Sequence, residues 1–289
     1  MSDSTPQSAQ RDKVWFITGA STGFGRLLTE HLLALGAKVV ATARKPDSLI
    51  DLNAKYAANL QILPLDVTKP AEIESVVRLA ITAFGHVDVL VNNAGYGVTG
   101  ALEEVADEEL HPMFDTNVFG LIHVTKALLP QFRGRRSGVI LNLSSVGGIV
   151  GLPGWSMYNA TKFAVEGLSE ALAAELAPLG IHVTLIEPGP FRTDFLGRSG
   201  VEAKTQIPDY VSTAGKTREY FRTQAGKQQG DPQKAIEAMV AVASSPNPPM
   251  HLLLGKLALQ RYRTKQKAFD ADVAAWETVT IEADYPETA

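Results

Sequence analysis

The chain of 289 residues contains no cysteine. That excludes disulfides, a thiol nucleophile and thiolate-bound zinc, and it says little about compartment. Excess charge is scarce as well, with a net charge of only −4. Nothing in that balance calls for nucleic acid or an anionic membrane as partner. Long apolar runs are missing too. The longest uncharged stretch, 137–161, is broken by Gly, Ser, Asn and Pro and would make a poor membrane span. Internal repeats and low-complexity segments are absent. The six histidines (His31, His86, His111, His123, His182 and His251) are scattered without ligand spacing, so no metal is expected.

What is present is ordinary for a globular protein with a sizeable core: 45% hydrophobic and 20% charged residues. The opening "MSDSTPQSAQRD" is polar and has no apolar centre, so it does not read as a secretory signal. Residues 1–12 are expected to form a loose tail, 13–289 one domain, and the protein to be cytoplasmic. Short apolar runs ending in turn residues alternate with helical periodicity. "VWFIT", "KVVAT", "LQILPLD", "VDVLVNNAG", "GVILNLSS", "IHVTLIEPG" and a weaker "HLLLG" at 251–255 read as strands. Helices are expected between them, including 70–84, a long stretch at 107–132, one holding Tyr158 and Lys162, and a helical tail. Such alternation implies an α/β, doubly wound parallel sheet of about seven strands, covered on both faces, with ligands outside the carboxyl ends of the strands. The stretch 190–230 lacks clean periodicity and reads as an insertion able to close over a ligand. The basic "RGRRSG" (133–138) reads as a solvated turn, with an acidic partner as the alternative.

Two features carry chemistry. "TGASTGFG" (18–25) sits between the first strand and first helix, where glycines allow close backbone approach and a helix N-terminus offers free N–H groups to phosphate. "YNATK" (158–162) places Tyr158 and Lys162 one helical turn apart on a shared face. A buried lysine is rare unless something holds it.

Together with "NNAG" (92–95), "SSVGG" (144–148) and "PGPFRTD" (188–194), these motifs occur in the order found in short-chain dehydrogenases/reductases, and the chain resembles that family from about 13 to 260. Within it, "SSVGGIVGLPG" and "KFAVEGLSE" resemble the hydroxysteroid- and retinol-dehydrogenase-like group. The resemblance implies a Rossmann fold and a nicotinamide cofactor cradled by Gly19, Ser21, Thr22, Gly23, Phe24 and Gly25. It assigns Asp66 and Val67 to the adenine, Asn93, Ala94 and Gly95 to the adenosine ribose, and Pro188, Gly189 and Thr193 to the nicotinamide. At the end of the second strand an acid would bind the ribose of NAD, whereas an Arg accommodates the extra phosphate of NADP. Ala43 stands where NAD-preferring relatives carry the acid and Arg44 follows, so NADP(H) is expected, with Ser21 adding a hydroxyl. Asp47 keeps NAD(H) as the alternative.

The resemblance also implies a catalytic set of Ser145, Tyr158, Lys162 and Asn117. Tyr158 acts as general acid/base, with a phenol whose free pKa is near 10. The adjacent Lys162 cation, which also binds the nicotinamide ribose, would lower that pKa. A shift of about three units corresponds to roughly 4 kcal/mol. Ser145 would hold the substrate oxygen, Ser144 being its rival on the opposite face of the strand. Asn117 would kink its helix and hold a relay water near the lysine. Pocket-wall candidates are Tyr96, Val98, Val146, Ile149, Leu152, Trp155, Pro190, Phe191, Phe195 and Leu196, mostly apolar. They suit a hydrophobic ketone or secondary alcohol. The expected activity is therefore an NADP(H)-dependent carbonyl reductase or alcohol dehydrogenase. The alternatives are an epimerase or dehydratase, or a non-catalytic NADP-binding regulator. Family members pair the helices around 107–132 and 155–177, so a homodimer or homotetramer is expected.

Overall fold

The computed structural model describes residues 10, 11, 13–197 and 199–285. The elements run in chain order. They are β1 (Val14–Ile17), α1 (Gly23–Ala34), β2 (Lys38–Ala43), α2 (Ile50–Tyr56), β3 (Leu60–Pro64), α3 (Pro70–Phe84), β4 (Val89–Asn92), β5 (Gly97–Thr99), α4 (Asp107–Phe114) and α5 (Leu121–Arg135). Then follow β6 (Gly138–Leu143), α6 (Ser156–Leu176), β7 (Ile181–Pro188), β8 (Gly200–Glu202), α7 (Lys216–Gln224), α8 (Pro232–Ser244), β9 (His251–Leu254), α9 (Lys256–Ala275) and α10 (Glu277–Glu282).

Seven strands form one parallel sheet in the order β3-β2-β1-β4-β6-β7-β9. The continuous apolar strands are explained by burial on both faces. Alternate residues divide between two cores. Trp15, Ile17, Val39 and Val91 face the layer of α1 and α8, while Val14, Phe16, Val40 and Leu90 face that of α3, α5 and α6. Burial of this kind contributes about 25 cal/mol per Å² of apolar surface, which makes the sheet the rigid frame of the site.

Of the expected tail, residues 1–9 and 12 lie outside the described residues. Gln10 is buried: its Oε1 accepts from Trp15 Nε1 at 3.3 Å and its amide donates to Ser244. The helix expected at 107–132 is present, and a widened π-helical stretch at Asp115–Gly120 joins α4 to α5 within it. Gly120 permits the contact there, since a Cβ would lie 2.6 Å from Val67 Cγ2. The expected insertion at 190–230, without clean periodicity in sequence, contains β8, which pairs in parallel with β5, and the helix α7. It is held by a buried ion pair from Arg218 on α7 to Glu104, whose carboxylate also accepts from Ala101 N and Ile207 N at 2.7 and 2.8 Å. Burial alone would raise the Glu104 pKa. These partners outweigh it and hold the carboxyl below its usual range. The expected basic turn is structural as well. Arg135 pairs with Asp88 at 2.8 Å within the last turn of α5, and Arg136 donates to Pro178 O at 2.7 Å.

Candidate active site

The carboxyl ends of the strands open onto a cleft of about 1350 Å³. Single-ligand pockets usually measure about 300–1,000 Å³, so this one has room for a dinucleotide and a substrate together. Of the residues expected to catalyse or to bind cofactor or substrate, all but Gly25 and Asn117 line it. Among the broader wall candidates, Val98 and Ile149 do not reach it.

One end of the cleft is backbone. Gly19 (φ +65°) and Gly23 (φ +55°) turn the chain from β1 into α1. A Cβ on Gly19 would lie 2.9 Å from Ala94 Cα, and one on Gly25 only 2.4 Å from Gly19 O, which explains glycine at both positions and places Gly25 behind the cradle. The α1 N-terminus has no side-chain cap and no acid in its first turn. Its first N–H groups are therefore available to a phosphate, and the local dipole favours one. Asn93 stitches β4 to this turn by donating to Thr18 O and Gly19 O, both at 2.9 Å. Its two amide hydrogens are spent on the cradle. Arg44 is exposed at the end of β2 and makes no ion pair among the described residues, and Lys45 and Ser48 join it on the cleft wall while Asp47 does not. Asp66 also lines the cleft, with its carboxylate accepting from Thr68 N (3.0 Å) and Thr68 Oγ1 (2.8 Å). Burial raises its pKa, but these bonds outweigh that and hold it below the usual carboxylate range.

The other end is chemical. Tyr158 and Lys162 come from α6, and Ser145 from the turn after β6. Ser145 Oγ accepts from Gly147 N at 3.0 Å, which leaves its own proton free to donate. Ser144 turns away and donates to Glu166, so the rivalry between the two serines is decided by direction. Lys162 Nζ donates to Leu143 O at 2.7 Å and lies 5.8 Å from the Tyr158 ring centroid.

The expected pKa of Tyr158 is corrected here. Its phenol is pushed up to about 12 by burial, with the Ser145 hydroxyl pulling the other way. Lys162 is lowered to about 8 by burial, and the Glu166 charge opposes this. Both groups share one dry pocket, and the ammonium is spent on a strand carbonyl rather than on the phenol. Desolvation therefore outweighs the cation's attraction. Asn117 is buried in the widened stretch and does not line the cleft. Its Oδ1 accepts from Tyr96 N (3.0 Å), and its Nδ2 donates to Tyr96 O (2.8 Å) and Thr161 Oγ1 (3.1 Å). The amide thus holds Tyr96 through its oxygen and one hydrogen and ties the segment to α6 through the other.

The wall above Tyr158 is aromatic. Trp155 meets Tyr158 edge-on at 5.3 Å between centroids, and Phe195 sits 5.6 Å from Tyr158. Phe24 and Phe191 meet at 5.5 Å beside the glycine turn. Sequence reasoning missed several lining residues, among them Tyr220 of α7, Arg261 of α9 and Gln228. Gln228 is 3% exposed, and among the described residues neither polar atom of its amide has a partner. It also missed what happens behind the site. His251 Nδ1 lies 2.6 Å from Glu187 Oε1 and 3.6 Å from Glu166 Oε2. The donor atoms of Glu166, Glu187 and His251 lie within 4.8 Å of one another, a grouping that the scattered sequence positions of the histidines do not show. Burial drives the pKa of both carboxyls up.

A glycine cradle at an uncapped helix start, set beside a serine–tyrosine–lysine group, defines a dinucleotide-dependent oxidoreductase. The chain belongs to the short-chain dehydrogenase family, whose model matches residues 13–203. It is 36% identical over 271 residues to oxidoreductase BOA17 of Botryotinia fuckeliana, covering 93% of this chain and 98% of that protein. It is 37% identical over 246 residues to a 3-ketodihydrosphingosine reductase of Bacteroides thetaiotaomicron, covering 85% and 88%. A short-chain dehydrogenase from Streptomyces avermitilis superposes with a TM-score of 0.88 at 41% identity, covering 94% of this chain and all of that one. Among other solved structures of the fold, one from Burkholderia phymatum holds NAD and a serine dehydrogenase holds NADP+. Among the described residues no helix is long and apolar enough to cross a membrane.

Proposed function

We propose that the chain is an NADP(H)-dependent carbonyl reductase or alcohol dehydrogenase, acting on a hydrophobic ketone or secondary alcohol with Tyr158 as general acid/base. The observation that carries this reading is the convergence of Ser145, Tyr158 and Lys162 on the same cleft as the glycine cradle. When bound, the reduced nicotinamide supplies the hydride. Ser145 donates a hydrogen bond to the carbonyl oxygen and orients it. Tyr158, raised to about 12 and hence protonated at neutral pH, gives its proton to that oxygen as the carbon is reduced. Lys162 keeps its ammonium below pH about 8 and stabilises the tyrosinate left behind. Arg44, Lys45 and Ser48 form a donor group for a 2′-phosphate, and the absence of Asp47 from the lining favours NADP(H) over NAD(H). The aromatic wall of Trp155, Phe195 and Phe191 favours an apolar substrate, and the keto-lipid named for the Bacteroides relative is of that class.

Absorbance of the reduced nicotinamide, followed with a panel of ketones of increasing chain length, tests the reading. NADPH should be used in preference to NADH, and Arg44→Ala should narrow that preference. Tyr158→Phe should lower turnover by about 10²–10⁴-fold with nucleotide affinity unchanged. Parental turnover by that variant, or a clear NADH preference of the parent, refutes the corresponding half of the proposal.

A further inference from the structure

Helix α9 leaves the body of the protein. Ala258 is buried, and Lys265 donates to Ile149 O at 2.5 Å while lying 4.9 Å over the Phe163 ring. From Tyr262 to Tyr285 every residue is exposed. Twenty residues of helix span about 30 Å, a long element to hold its shape with so little packing.

Its sequence shows what is missing. Leu259, Tyr262, Phe269, Val273 and Trp276 fall at successive a and d positions of a heptad, with Gln266 filling the gap. Their exposures are 39%, 37%, 59%, 47% and 66%. A continuous exposed stripe of this kind marks an interaction surface. Its charges are sorted by half. Five cations and no acid lie between Lys256 and Lys267; the rest of α9 carries two acids, Asp270 and Asp272, and no cation, and three more acids, Glu277, Glu282 and Asp284, follow beyond its end. Cations near the start and acids near the end oppose the helix dipole, so the isolated helix is disfavoured by its own side chains.

We propose that α9 pairs antiparallel with α9 of a second copy of this chain. Antiparallel pairing lays the basic half of each helix on the acidic half of the other. The same register that sets Gln266 against Phe269 sets Tyr262 against Val273 and Leu259 against Trp276. It also brings the flanking Arg263 opposite Asp270. A parallel pair would stack cations on cations and acids on acids. A lipid surface is a poorer fit, because an anionic bilayer repels the acidic half. The stripe itself differs from the α5 and α6 faces expected to pair in the family. It also bears on the cleft, since Arg261 of α9 lines it.

The absence of cysteine makes the test direct. Tyr262→Cys and Val273→Cys proteins, mixed and mildly oxidised, should form a covalent heterodimer, while neither variant cross-links alone. Light scattering should show Phe269→Asp halving the mass of the assembly. Arg263→Asp should weaken association, and adding Asp270→Arg should restore it. No heterodimer, cross-linking by either cysteine variant alone, or an unchanged mass for Phe269→Asp overturns the proposal.

Discussion

Substituting Glu104 by alanine tests what holds the substrate side of the cleft. The Glu104 side chain is fully buried and that of Arg218 is 6% exposed. The carboxylate receives two contacts from the guanidinium and one from each of two backbone N–H groups. Removing one partner of a buried pair costs about 3–5 kcal/mol, because the other charge is left without compensation. The orphaned amides of Ala101 and Ile207 add to this unless water reaches them. At about 2 °C per kcal/mol for a chain of this size, the melting temperature should fall by about 6–10 °C. The pair joins the segment after β5 to α7, so the 190–230 region should also become susceptible to limited proteolysis and KM should rise. Replacing both partners, with Glu104→Gln and Arg218→Met, should recover much of the loss, since a buried pair is worth little against apolar packing. The reasoning fails if Glu104→Ala melts within 1 °C of the parent and its 190–230 region resists protease equally well.

Lys162→Met should abolish turnover yet stabilise the fold at pH 7. The depressed pKa, 10.5 to about 8, sets a ceiling of about 3 kcal/mol on the gain, reduced by the unpaired Leu143 carbonyl. A lysine lowered on folding penalises the native state fully below pH 8 and not at all above 10.5, so the variant's advantage in denaturant melts should shrink across that window. Gly97→Ala should lower kcat by at least about tenfold with nucleotide affinity intact. The new Cβ would lie 2.9 Å from Trp155 Cζ3 and 3.0 Å from Tyr158 Cδ2, which displaces the catalytic ring; unchanged kcat refutes this. Gln228→Leu should lower kcat/KM while the melting temperature holds or rises, because it removes a buried amide without a partner among the described residues that a ligand in the cleft could satisfy. A lower melting temperature with parental kinetics would mark Gln228 as structural.

The parallel sheet was legible because buried strands are written as apolar runs that stop at glycine or asparagine, and that signal is local. The glycine cradle and the Tyr158–Lys162 spacing are local in the same sense. The features that escaped depend on partners distant in the chain. β5 and β8 have three residues each and become strands only by pairing with one another. Arg218 reads as a surface cation until Glu104 meets it from more than a hundred positions away. His251 reads as a stray residue until β9 joins the sheet beside β7, where Glu187 waits one strand over. The missed pKa of Tyr158 has the same origin. Spacing four residues apart on a helix places two side chains on one face, but it does not say where a four-carbon stem ends. Here the Lys162 ammonium reaches back to the carbonyl of Leu143 on β6, and depth in the protein governs both titrations. A face can be read from sequence period. The direction of a charge within that face is a property of the packed neighbours, so Lys162 bears on the phenol through a shared dry pocket rather than through direct contact.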